Sequence, residues 1–271
     1  MGDDFLLKFI MGNNHRLVQV LTSDGLYLQG CCAPSEDKKV ALLHIHGFEG
    51  NFYENDFIYS LAENLAKNKI AFVTVNTRGN NKISDFKTVS GEYKTIGAWN
   101  ELLEEAHLDI SAWIKFLLAE GYEEIILQGH SLGTLKVIRY LFEGEYKEKV
   151  DKLILLAPFE KNNSPPNLSP QSYESWNNQS DLARVFDFSA TDYDFPILKQ
   201  IKIPTKIIVG KKDEHFYPTN PNDFKRIMDL LLSHIPNSEG VFIPDATHSF
   251  KPNEELMSRE VVKSIKNESK S

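Results

Sequence analysis

Cysteine is nearly missing from this chain: Cys31 and Cys32 are the only two among 271 residues, and they are adjacent. Neighbouring cysteines close a strained ring and make poor staples. A disulfide framework is therefore excluded, and a reducing compartment is expected. Long apolar runs are missing as well. The N-terminal stretch Phe5-Leu6-Leu7-Lys8-Phe9-Ile10-Met11 is short, broken by a lysine and preceded by Asp3 and Asp4. It reads as neither a signal peptide nor a membrane span, so the cytoplasm is the expected location. Positive charge is in deficit: 30 Lys and Arg against 38 Asp and Glu leave a formal net charge of −8. That argues against nucleic acid or an anionic membrane surface as a partner. No internal repeat is visible.

What is present is an ordinary globular composition, 41% apolar and 25% charged, which suffices for a full core. Apolar runs alternate with segments of helical spacing. A hairpin is expected over Leu17 to Ala33, turning at Ser23-Asp24-Gly25. Val40 to His46, Ile70 to Val75, Ile125 to His130, Lys152 to Pro158, Ile201 to Gly210 and Gly240 to Pro244 read as further strands. Helices are expected over Phe57 to Lys67, from Leu102 through Leu117, after Ser131, over Pro221 to His234, and over Glu254 to Ile265. The segment from Asn76 to about Gly97 reads as a polar loop. From about residue 160 to 200 the pattern lapses into Asn, Ser, Pro, Asp and aromatics, an insertion within one domain spanning 1–271. Strand and helix in alternation imply a mainly parallel sheet covered on both faces, with ligands at the carboxyl ends of the strands.

The candidate chemistry gathers at those ends. Gly129-His130-Ser131-Leu132-Gly133 stands between an apolar strand and a helix, the context in which Gly-x-Ser-x-Gly presents a serine nucleophile. A serine needs a base that works near neutrality, and histidine is suited to that. His248, in a late loop before the last helix, is the leading candidate among eight histidines; His215, His234, His15 and His107 are rivals. An acid must orient the imidazole. Asp213, after a buried strand, leads Glu214 and Asp245. For a tetrahedral oxyanion the nominated donors are the backbone N–H groups of Leu132 and Phe48. His44 and His46, two apart on a strand, face the same side and have the spacing of zinc ligands. No Asp-His ligand set follows them, so packing and loop-fixing hydrogen bonds are the expected roles and no metal is assigned.

Together these motifs resemble the α/β-hydrolase superfamily of serine hydrolases over nearly the whole chain. The resemblance rests on His-Gly-Phe at 46–48, Asn-x-Arg-Gly at 76–79, Gly-His-Ser-Leu-Gly at 129–133, Gly-x-x-Asp at 210–213 and the late His248. It implies a mostly parallel central sheet of about eight strands with helices on both faces, and a lid inserted between the family's sixth and seventh strands. It also implies a triad of Ser131, His248 and Asp213. The stretch from Gly129 to Leu141, with the long helix before it, is further similar to a branch of hydrolases that includes fungal siderophore esterases; Pro165 to Asp194 carries no motif of that branch.

The implied reaction is hydrolysis of a carboxylic ester, thioester or amide of a small acyl substrate through an acyl-enzyme, with no cofactor. Peptidase-type cleavage and binding without turnover are the alternatives. Within the insertion, Trp176, Phe186, Phe188, Tyr193 and Phe195 are candidates to line an apolar pocket, and Arg184, Asp187, Asp192 and Asp194 to meet polar groups. The sequence does not fix the oligomeric state; a homodimer is compatible with it.

Overall fold

The structure is a computed structural model, and it describes residues 15–158, 167–177, 196–215 and 223–266. The strands are β1 (Arg16–Leu21), β2 (Tyr27–Ala33), β3 (Val40–Ile45), β4 (Ala71–Val75), β5 (Asp85–Lys87), β6 (Tyr93–Thr95), β7 (Glu124–His130), β8 (Lys152–Leu156), β9 (Thr205–Gly210) and β10 (Ser238–Ile243). The helices are α1 (Phe57–Lys67), α2 (Ala106–Ala119), α3 (Leu132–Glu143), α4 (Pro170–Asn177), α5 (Asp223–His234) and α6 (Glu254–Lys266).

Eight strands form one sheet in the order β1-β2-β4-β3-β7-β8-β9-β10. β1 and β2 pair antiparallel, as do β2 and β4; every pair from β4 onward is parallel. The expected fold class is thus the observed one. Successive residues of a strand face opposite sides, and each central strand feeds two cores. Ala41, Leu43 and Ile45 of β3 join Trp113, Ile110 and Val137 on the face carrying α2 and α3. Leu42 of β3 joins Phe57, Leu61, Met257 and Val261 on the face carrying α1 and α6.

Two local expectations are corrected. The segment read as a polar loop holds the β5–β6 hairpin, Asp85 opposite Thr95. Only Phe86 of its six strand residues is buried, so the alternation that announces a strand is too short to see. The strand expected from Ile201 begins at Thr205. Pro204 has no N–H for a ladder, and its carbonyl accepts from Leu153 N at 2.9 Å just before the strand starts.

The loop after β4 is fixed by a buried guanidinium. Arg78 is fully buried and contacts both carboxylate oxygens of Asp109: Nη2 reaches Oδ1 at 2.8 Å, and the backbone N–H reaches Oδ2 at 2.7 Å. Glu105 and Asp24 complete its charge at 2.6 and 3.0 Å. Breaking such a buried pair on one side costs about 3–5 kcal/mol. No helix among the described residues is long and apolar enough to cross a membrane.

Candidate active site

Residues at or beyond the carboxyl ends of β3, β4, β7 and β10 line one cavity of about 470 Å3. Ser131 and His248 both line it, beside Gly47, Phe48 and His130.

Ser131 sits between β7 and α3 at φ 53°, ψ −126°. That conformation is costly for a residue with a Cβ. It is held by Ser131 N donating to Leu156 O at 3.0 Å, and by Thr134 N and Oγ1 donating to Ser131 O at 2.9 and 2.5 Å. The flanking glycines are required by space. A Cβ on Gly129 would lie 2.3 Å from Gly133 O, and one on Gly133 would lie 2.4 Å from Ile45 O. Gly47 brings the loop after β3 onto the serine: a Cβ there would lie 2.8 Å from Ser131 Cβ and 3.3 Å from its Oγ.

His248 and Asp213 meet from neighbouring parallel strands. His248 Nδ1 donates to Asp213 Oδ1 at 2.8 Å, with Asp213 fully buried. The same oxygen accepts the N–H of His215 at 2.9 Å. The two loops are sewn together by Lys211 N to Ile243 O and Lys212 N to Ala246 O, at 2.9 and 2.8 Å.

The rival acids and bases have other occupations. Glu214 accepts the backbone N–H of His248 at 3.2 Å rather than its ring. Asp245 pairs with Lys212 at 2.9 Å on the surface. His107 bonds to Glu104 O in the turn just ahead of its helix and His234 to Leu230 O within its own helix, both at 2.8 Å, and His15 precedes β1 at the far edge of the sheet. His215 packs edge-on against the His248 ring at 4.6 Å between centroids.

In the sequence His130 stands only as the variable position of its motif. Its Nε2 donates to His248 O at 3.0 Å, so it pins the imidazole's main chain. Burial, then the neighbouring His248, pushes its pKa down to about 3. Glu49, Glu54, Asn55, Asn81, Lys82 and Ser249 also line the cavity and were not singled out. The available signal was position: most follow β3 or β4 at the carboxyl end of the sheet.

The side chains of Leu132 and Phe48 share a small apolar cluster with Leu103, Leu135 and Leu168. His44 and His46 serve separate partners. His44 Nδ1 bonds Gln128 Nε2 at 2.8 Å and its ring packs on Phe57. His46 bonds Gly47 O and Thr77. Among the described residues no group of three or more His, Cys, Asp or Glu is arranged to hold a metal ion.

Of the expected substrate-pocket residues, Trp176 is on α4 but its side chain is outside the description. Phe186, Phe188, Tyr193 and Phe195 lie outside the described residues, as do Arg184, Asp187, Asp192 and Asp194. The described part of the insertion is tied to the loop ahead of α2. Ser169 N donates to Trp99 O and Ser172 Oγ to Glu101 O, both at 2.8 Å. Ser175 Oγ accepts from Leu103 N at 2.9 Å and bonds Glu104 Oε2.

No curated protein matches the chain by sequence. Solved structures do match its fold. An esterase of Pyrococcus furiosus aligns over 96% of this chain and 93% of its own, at 17% identity and a TM-score of 0.65. The ferulic acid-bound Est1E of Butyrivibrio proteoclasticus aligns over 92% of this chain and 98% of its own, at 19% identity and 0.62. A thermophilic esterase of Thermogutta terrifontis, with malate bound, aligns over 92% and 98%, at 18% identity and 0.61. The model of the alpha/beta hydrolase fold family matches residues 40–186. That is more than half of the 271 residues, and the chain belongs to the alpha/beta hydrolase fold family.

Proposed function

We propose that the protein is a serine hydrolase that cleaves a carboxylic ester through an acyl-enzyme. The observation that carries this reading is the 2.8 Å bond from His248 to buried Asp213, with His248 and Ser131 facing one cavity. The esterase names of the three similar structures favour an ester over an amide or thioester.

In the first half-reaction Ser131 Oγ attacks the acyl carbon while His248 Nε2 takes its proton. Asp213 accepts from Nδ1 and stabilises the imidazolium. The oxyanion is met by the N–H groups of Leu132, at the start of α3, and Phe48. Collapse expels the alcohol, which takes the proton from His248. Water then repeats the sequence on the acyl-enzyme and releases the acid. We assign the insertion at 160–200 the part of the lid that the family resemblance implies.

A fluorophosphonate probe should label the wild type and fail on Ser131→Ala. Turnover of a short p-nitrophenyl ester should fall about four to six orders of magnitude on losing Ser131 or His248. Asp213→Asn should fold and lose about four orders; near-normal rates would transfer the acid role to Glu214. A wild type that is neither labelled nor active would favour ligand binding without turnover.

A further inference from the structure

Beneath the loop after β3 lies a buried ion pair that the proposed chemistry leaves unused. Lys136 Nζ, on α3, is 2.6 Å from Glu101 Oε1, and the two side chains are 0% and 3% exposed. Glu101 fits only because residue 79 is glycine: a Cβ there would lie 2.0 Å from Glu101 Oε2. Burial pushes the Glu101 carboxyl up, and Lys136 opposes that shift. Such a pair is weak support for stability, since apolar residues of similar size serve as well.

The pair does lead somewhere. Lys136 Nζ donates to Thr77 Oγ1 at 3.2 Å. An ammonium group only donates, so the Thr77 oxygen accepts and its own proton is free to point onward. It points at His46 Nε2, 3.1 Å away, which also accepts the Thr77 N–H at 3.1 Å. With Nε2 accepting, the ring proton belongs on Nδ1. Nδ1 then donates to Gly47 O at 2.7 Å. Gly50 N gives the same carbonyl a second bond at 3.3 Å. A trans peptide sends its N–H opposite its C=O. Holding Gly47 O on the His46 side therefore turns the Phe48 N–H the other way, and Gly47 and Phe48 line the cavity with Ser131.

We propose that Lys136, paired with Glu101, is a positioning residue for the oxyanion peptide and acts through Thr77 and His46. Its role is to fix the direction of a hydrogen-bond chain that ends at Gly47 O, and no proton moves along it. The inference rests on the reading of Phe48 N–H as an oxyanion donor. Burial first, and then Lys136, keeps His46 neutral, its pKa pushed down to about 3. That suits a ring which must donate at one nitrogen and accept at the other.

The lead variant is Thr77→Val, near-isosteric and without the hydroxyl. Its backbone N–H still reaches His46, so kcat should fall about tenfold, short of the two to three orders lost with a whole oxyanion donor. KM should change less than about twofold, because the interaction forms in the transition state. Thr77→Ser should restore the rate. Lys136→Met/Glu101→Gln, which leaves no lone buried charge, should behave as Thr77→Val does. Rates are referred to sites titrated with fluorophosphonate, so misfolded protein does not count. Imidazole 15N shifts supply a second readout: wild-type His46 should carry its proton on Nδ1. A proton on Nε2 in the wild type, or folded variants with wild-type kcat, would overturn the inference while the serine hydrolase reading stands. A wild type that the probe fails to label would remove the hydrolase reading and this inference with it.

Discussion

Ser131 occupies a backbone conformation that suits glycine better than serine. Strain of this kind costs about 1–3 kcal/mol and marks functional sites. Ser131→Gly is expected to raise stability by about 1 kcal/mol while abolishing turnover; denaturant midpoints and ester hydrolysis measured side by side check both halves. Three other side chains tie stability to acid. Burial pushes His44, His46 and His130 down to about 3 from 6.5. In the folded state these rings stay neutral below pH 6.5, while in the unfolded chain they take up protons. Their contribution is complete above about pH 6.5 and is lost as pH falls towards about 3, at up to 1.4 kcal/mol per pH unit for each ring. The melting temperature should fall between pH 7 and 5, and His44→Gln should flatten that slope. At this scale the sequence was readable wherever a residue type implies its own chemistry. Ser131, His248 and Asp213 are such residues: the fold joins His248 to Asp213 and sets Ser131 and His248 on one cavity, and their roles belong to the proposed reaction. His130, Glu101 and Lys136 were not legible, because each acts through a partner distant in the chain: Glu101 and Lys136 are 35 positions apart and His130 and His248 are 118 apart.

Elements were legible in proportion to their periodicity. The central strands are continuous apolar runs, and α1 and α6 carry clear stripes, so their bounds agree closely with expectation. The β5–β6 hairpin, with strands of three residues, offers no period to detect. The helix α4 was hidden in a segment of mixed polar and aromatic residues. Its attachment to the loop ahead of α2 rests on serines, and each such bond contributes about 0.5–1.5 kcal/mol. Ser172→Ala/Ser175→Ala should therefore loosen the insertion without unfolding the body. The expected result is earlier cleavage within 160–200 under limited proteolysis and a KM for the ester that shifts more than kcat. Unchanged proteolysis would show that the serines do not hold the insertion in place.

At the scale of the whole molecule, the proposed site is shared among loops from strands spread across the sheet. β3 supplies Gly47 and Phe48, β7 supplies Ser131, β9 leads to Asp213 and β10 to His248. Chain order and strand-helix alternation made this convergence readable, since a parallel sheet sends all those ends to one side. Which walls the substrate meets was not readable, because loops after different strands meet only in the folded molecule. The sheet's order also makes its vulnerability uneven. β3 and β7 have neighbours on both sides, whereas among the described strands β10 is a border strand paired with β9. Borders open at lower free energy than centres. The imidazole thus hangs from the part of the molecule first to let go, while the hydroxyl stands on the part last to let go. Heating or urea should silence the enzyme before its circular dichroism changes, and amide exchange should quicken in Ser238–Ile243 ahead of Val40–Ile45. A bridge fastening that border to its neighbour would then lengthen working life without altering the chemistry.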